Sequence, residues 1–299
     1  MSEIKVSGFR NRLFQFILGF LFIAFGVACA YPFYYLVIYS LSSPEEAMKF
    51  NVVFLPRGFT LSNYLGIITL SNIYHAFIIS FCRVVLGTAL STFLTAMLAY
   101  VLTHKKMIMR KLLYRLVVIS MYLNAGLIPW FLTMRFLGLK NSFLVYILPY
   151  LIGGFNLILV KTYIEQLPPS LEESASIDGA RPLRIFVNIM LPICKPVLAA
   201  IIVFTAVFHW NAWTDNFYLV TDKNLQTLQM TLLNYLRESD SIAQALRQGN
   251  TSLQEIRKAL TPMSIRVTLT VFVTLPILLV YPFVQKYFIK GILLGAVKE

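Results

Sequence analysis

The residues able to do chemistry in this chain are sparse and scattered. His75, His104 and His209 lie far apart, as do Cys29, Cys82 and Cys194, and no carboxylate groups with any of them. A structural metal needs three or four such ligands at close spacing, and nucleophilic catalysis needs a paired base. Neither pattern is present in the sequence, nor is a glycine-rich phosphate loop. We therefore expect a non-catalytic chain with no cofactor, no metal site and no disulfide framework. One run has a different chemistry, that of recognition: His209-Trp210-Asn211-Ala212-Trp213-Thr214-Asp215-Asn216. Alternating flat rings with amides and a carboxylate suits a sugar, whose apolar faces stack while its hydroxyls hydrogen-bond. An aromatic belt at a membrane surface accounts for the tryptophans equally well. Arg83 and Asn124 complete the candidate substrate-contacting set.

The elements that must position these residues are membrane helices. Apolar residues make up 58% of the chain and charged ones 13%, against about 25% charged in soluble domains. Mean hydropathy is +0.72. Charge-free windows run over 13–44, 58–82, 84–104, 116–134, 141–160, 196–214 and 267–285, the second and third parted only by Arg83. About 20 apolar residues cross a bilayer core. The windows predict an all-α polytopic membrane protein of six spans, near 13–39, 73–102, 112–134, 142–160, 197–218 and 263–285. Ala28-Cys29-Ala30 imitates a cleavage site, but the apolar run continues to Tyr39, so it reads as a retained anchor.

Lys and Arg set the orientation. They crowd before the first span, around Lys105, Lys106, Arg110, Lys111 and Arg115, around Lys161, Arg181, Arg184 and Lys195, and after the last span. Both termini are placed inside, with 1–12 and 291–299 as cytoplasmic ends of a transmembrane domain over 13–290. The net charge of +13 is thus mostly juxtamembrane, Arg83 apart, and nucleic-acid binding is not needed to explain it. Outer segments 42–72 and 221–262 are long enough to fold locally, with Leu225, Leu228, Leu232, Leu233 and Leu236 spaced for a partly buried helix. Within the spans, Gly87, Ser91 and Thr95 form a smooth packing stripe. Gly126, Pro129, Pro149, Gly153 and Gly154 can bend helices. Arg83, about 10–15 Å inside its span, reads as a buried ion pair, a snorkelling side chain or a pathway residue.

The inner segment 165–196 spells two short helices. Ser170 and Glu173 have capping-box spacing, Gly179 suits a left-handed helix end, and Pro182 suits the first turn of a second helix. Ile185, Phe186, Ile189 and Met190 line one face of that helix, and Pro192 is expected to close it. An amphipathic helix lying on the inner leaflet is the plain alternative.

The spacing Glu173-Ser174-Ala175, three residues, Gly179, nine residues, Ile189, one residue, Leu191-Pro192 resembles the "EAA" signature of binding-protein-dependent ABC importer permeases, with Ser174 in place of the usual alanine. The C-terminal run from Leu275-Pro276 through Tyr281-Pro282 to Lys290-Gly291 is similar to the polysaccharide and oligosaccharide group of those permeases. The resemblance implies a type I, maltose-permease-like importer fold with a coupling segment made of Glu173, Ser174, Ala175, Asp178, Gly179, Ala180, Leu191 and Pro192. It implies a second homologous permease, forming a heterodimer, two ATPase subunits that bind ATP and Mg, and an extracytoplasmic solute-binding protein. An ion-coupled secondary transporter would normally carry mid-span acidic groups or paired repeats. A membrane enzyme would carry clustered catalytic groups. The spans show neither, and a permease for a non-sugar solute is the nearer alternative.

Overall fold

The computed structural model describes residues 9–48, 52–68, 72–105, 107–123, 125–247 and 264–280. Asn124 and most of the C-terminal run singled out above lie outside the described residues. The chain divides into two compact units, residues 1–70 with 235–273, and residues 71–234 with 274–299.

In the first unit, α1 (Phe9–Ser40) is apolar on every side, and its side chains from Leu13 to Val27 are exposed. Its end is tied down by polar groups. Asn63, buried in α3 (Ser62–Ile68), donates to the carbonyls of Ser40 and Ser42 at 2.9 Å each, satisfying acceptors that a helix C-terminus leaves open. A small core of Ile38, Tyr39, Ala47 and Val52 forms beneath, with Ala47 coming from α2 (Pro44–Met48). The described residues between 42 and 68 thus fold against the end of α1.

The second unit is organised around α4 (Ile73–Thr103), about 46 Å long at 1.5 Å per residue. Its buried face carries small and hydroxylated residues, Ala76, Ser80, Gly87, Ser91, Thr95 and Ala99. Such side chains let α11 (Lys195–Asn211) and α7 (Gly154–Glu165) approach closely, and these are its principal partners. The stripe Gly87, Ser91, Thr95 is a packing surface. A Cβ on Gly87 would sit 2.6 Å from His209 Nε2.

Three expected continuous spans are broken. The stretch 112–134 divides into α5 (Arg110–Tyr122) and α6 (Leu127–Phe136), where Gly126 takes φ +82°. The stretch 142–160 begins as two 3-10 turns, Phe143–Tyr146 and Leu148–Tyr150, before α7 leaves at 45°. The stretch 197–218 ends as α11 at Asn211, and α12 (Thr214–Leu219) follows. Gly126, Pro149 and Gly153 supply two of these breaks through backbone freedom or a missing amide. Charge counting alone does not see them. Among the described residues, two helical segments, Arg12–Ser40 and Ile73–Thr103, are long and apolar enough to cross a bilayer unaided, and two bent pairs reach that measure jointly. The last described helix, α14 (Ser264–Val280), is apolar but shorter. The leucine-spaced helix expected within 221–262 is α13 (Leu228–Arg247), with Leu228 buried and Leu232, Leu233 and Leu236 half-buried.

Candidate functional site

The elbow over residues 165–196 is built from α8 (Ser170–Ile177), a tight turn, and a second helical piece made of α9 (Pro182–Ile185), a π-helical turn (Phe186–Met190) and α10 (Leu191–Ile193). The capping box is not formed. Pro169 already has helical angles and its carbonyl takes the amides of Glu172 and Glu173 at 3.1 Å, so Ser170 lies inside the helix and makes no side-chain cap bond. The hydroxyls of Ser174 and Ser176 instead bond back to the carbonyls of Ser170 and Glu172.

The turn fulfils the expectation for Gly179. It has φ +80°, its amide donates to the Ser176 carbonyl at 3.1 Å, and the Ala180 amide donates to the Ala175 carbonyl at 3.0 Å. This pair of bonds is a Schellman closure, and Ala175 and Ala180 belong to one apolar cluster, as that motif favours. A Cβ at Gly179 would meet nothing within 4 Å, so the backbone conformation alone demands glycine there.

Beyond the turn, Ile185, Phe186 and Met190 are buried and Ile189 half-buried, on the face expected for them. The helix does not stop before Pro192: it widens to take in an extra residue in the π turn, passes Pro192 in the first turn of α10, and swings by 82° into α11 at Cys194. A proline amide is missing anyway in a first turn, which is why Pro192 is tolerated.

The elbow's outer surface is apolar where it turns, with Ile177 85% and Leu183 63% exposed. Glu173, Ser174, Asp178 and Pro192 are exposed, Leu191 and Ala180 half-buried, and Ala175 buried. A cavity of about 940 Å³ opens between the elbow and the ends of α4 and α7, lined in part by Thr103, His104, Glu165, Glu172, Glu173 and Ile177.

The second candidate site divides in two. The chain leaves helical geometry at Ala212 (φ −71°, ψ 126°), so residues adjacent in sequence face opposite ways. Asn211 and Trp213 are exposed and Trp210 half-buried, with the Asn211 amide oxygen accepting from Gln229 Nε2 at 3.1 Å. His209, Asp215 and Asn216 are buried. Asp215 meets Arg83 across 132 residues, at 3.0 Å to Nη1 and 2.5 Å to Nη2, with both side chains fully buried. Arg83 Nη1 also donates to the Ala212 carbonyl at 3.0 Å, and its guanidinium lies 4.7 Å from the centre of the Tyr146 ring.

Around this pair, Asn216 Oδ1 accepts from the Thr227 amide, Ser80 Oγ accepts from the Leu228 amide, and Tyr146 donates to the Leu225 carbonyl. Of the three readings of Arg83, the buried ion pair is the one realised. Full burial excludes snorkelling, and Asp215 neutralises the charge that would have met a solute. Ser80, Tyr146, Thr227 and Gln229 escaped sequence reasoning because nothing local marks them. Among the described residues no group of three or more His, Cys, Asp or Glu could hold a metal ion.

Comparison with known proteins agrees with this architecture. Residues 91–294 match the family model described as "binding-protein-dependent transport system inner membrane component". The chain is 36% identical over 289 residues to the polygalacturonan/rhamnogalacturonan transport system permease protein YtcP of Bacillus subtilis, covering 97% of this chain and 99% of that one. It is 36% identical over 274 residues to Protein LplC of the same organism, covering 91% and 90%. A solved bacterial ABC transporter involved in the import of the acidic polysaccharide alginate superposes with TM-score 0.82 at 27% identity, over 94% of this chain and 98% of that one. The helical elbow, the bent membrane helices and a family match across more than half of the sequence lead to one assignment: the chain belongs to the inner membrane components of binding-protein-dependent transport systems.

Proposed function

We propose that this chain is one permease half of an ABC importer for an oligosaccharide, non-catalytic in itself and driven by separate ATPase subunits. The reading is supported by the carbohydrate systems to which its relatives belong. The observation that carries the mechanism is the elbow: a stiff, Schellman-closed corner presenting Ile177 and Leu183 to solvent beside exposed Glu173. Apolar residues this exposed on a short rigid projection suit insertion into a partner's cleft. Residues 165–196 would then be the coupling segment, with Glu173, Ser174, Ala175, Asp178, Gly179, Ala180, Leu191 and Pro192 shaping it. ATP and Mg would be held by the partners.

Six spans with both termini cytoplasmic, a second and different permease, and a solute-binding protein on the outer face complete the assembly. Asn211, Trp213 and Trp210 are the candidate sugar contacts. His209, Arg83, Asp215 and Asn216 support them from behind. The test is reconstitution of the chain with its partner permease, ATPase and binding protein in liposomes. ATP-dependent uptake of a labelled oligosaccharide is expected, and it should be lost with Gly179→Pro, which cannot adopt φ +80°. Uptake driven by an ion gradient without ATP would refute the proposal.

A further inference from the structure

The two adjacent glutamates of the elbow do different things. Glu173 is exposed and forms no ion pair among the described residues. Glu172 turns inward. Its Oε1 lies 2.8 Å from His104 Nε2 and accepts a hydrogen bond from the Tyr100 hydroxyl at 3.2 Å. Tyr100 is 3% exposed and is the centre of a three-way contact. Its ring stands edge-on to His104 at 4.5 Å and stacks on Phe186 at 5.4 Å, and Phe186 in turn meets Phe93 edge-on at 5.9 Å. One end of α4 is therefore held by α8 through a carboxylate and by the π turn through a ring stack. About 26 Å from Tyr100 along the same helix, Arg83 grips Asp215 and the Ala212 carbonyl, just where Asn211 and Trp213 are displayed.

We infer that Glu172, His104 and Tyr100 are positioning residues that latch the elbow to α4, so that displacement of the elbow is carried by α4 to the 212–216 break. The inference rests on the function proposed above and assigns to Glu172 a role separate from that of Glu173. A helix transmits axial displacement because its backbone hydrogen bonds keep its length constant, but only if its ends are gripped. A polar pair that is only partly exposed, backed by a buried ring stack, grips in both translation and rotation. An exposed ion pair alone contributes little, so the burial of Tyr100 and Phe186 is what makes the contact rigid.

The test uses the whole reconstituted importer and reads the ratio of sugar imported to ATP hydrolysed. Glu172→Gln and His104→Ala should lower that ratio about tenfold, and exchanging the two residues, Glu172→His with His104→Glu, should recover most of it. A ratio unchanged in both single variants, whatever happens to the ATPase rate, overturns the latch. A second arm introduces His104→Cys with Glu172→Cys. Reduced, this variant lacks the latch and should import as poorly as the single variants; if α4 and α8 move as one body, oxidising the pair restores the ratio. Arrest on oxidation with recovery on reduction would show that the two helices must part during the cycle, which also overturns it. Failure of the underlying function is distinguishable, because the unaltered complex would then show no ATP-driven uptake at all.

Discussion

Removing the Asp215 carboxylate is the sharpest perturbation the structure offers. Arg83 and Asp215 are both fully buried and joined by two hydrogen bonds. Truncating one member of a buried pair leaves an uncompensated charge and costs about 3–5 kcal/mol. In Asp215→Ala, Arg83 keeps the Ala212 carbonyl at 3.0 Å and the Tyr146 ring at 4.7 Å, which favours the lower end of that range. A loss of about 3 kcal/mol, or roughly a hundredfold in the folding equilibrium, is expected. The double variant Arg83→Met with Asp215→Leu removes both charges and should return to within about 1 kcal/mol of the parent, since apolar replacement of a buried pair is often neutral. Unfolding of the purified chain by a denaturing detergent in mixed micelles, run as a double-mutant cycle, measures all four corners. Asp215→Ala costing less than about 1 kcal/mol, or a double variant as unstable as the single one, would refute the reasoning.

Gly87→Ala should destabilise by about 1–3 kcal/mol in the same assay, because its Cβ would stand 2.6 Å from His209 Nε2, and His209→Ala in the same chain should relieve part of that cost. Gly154→Ala should cost less than about 1 kcal/mol although the new Cβ lies 2.5 Å from Met121 Cγ, since Met121 is exposed and flexible; thermal melts of the two glycine variants side by side check the contrast. At the turn, Gly179→Ala should cost about 1–2 kcal/mol through its φ of +80° alone, with Gly179→Asn milder; yield of the complex assembled with the ATPase reads the difference. Trp213→Ala and Asn211→Ala should raise the sugar concentration for half-maximal uptake several-fold, with the maximal rate falling less.

What was legible in the sequence follows the range of the forces involved. Hydropathy places α4 within a residue at its far end, because a bilayer-length apolar run has few alternatives. Gly179 and Pro182 locate the elbow's turn because their backbone limits act locally. The capping box failed for an equally local reason: Pro169 entered the helix first and took over the supply of acceptors. Breaks near Gly126 and Gly153 were foreshadowed by composition, but their positions depend on packing. The pairing of Arg83 with Asp215 was out of reach, since no periodicity links residues 132 apart. For the same reason Glu172 passed unnoticed beside Glu173. Both are glutamates in one helical turn, and only the position of His104 separates their roles.

The distance in sequence between Arg83 and Asp215 also imposes an order on biogenesis. Chains are synthesised at about 5–20 residues per second, so the arginine joins the chain roughly 7–26 s before its carboxylate does. During that interval α4 must enter the bilayer carrying a bare guanidinium, a burden of about 2.5–3.5 kcal/mol at a helix centre. The long apolar remainder of the helix offsets that burden. The helix can therefore wait in lipid with the arginine reaching toward headgroups, and withdraw it only once the segment bearing Asp215 arrives.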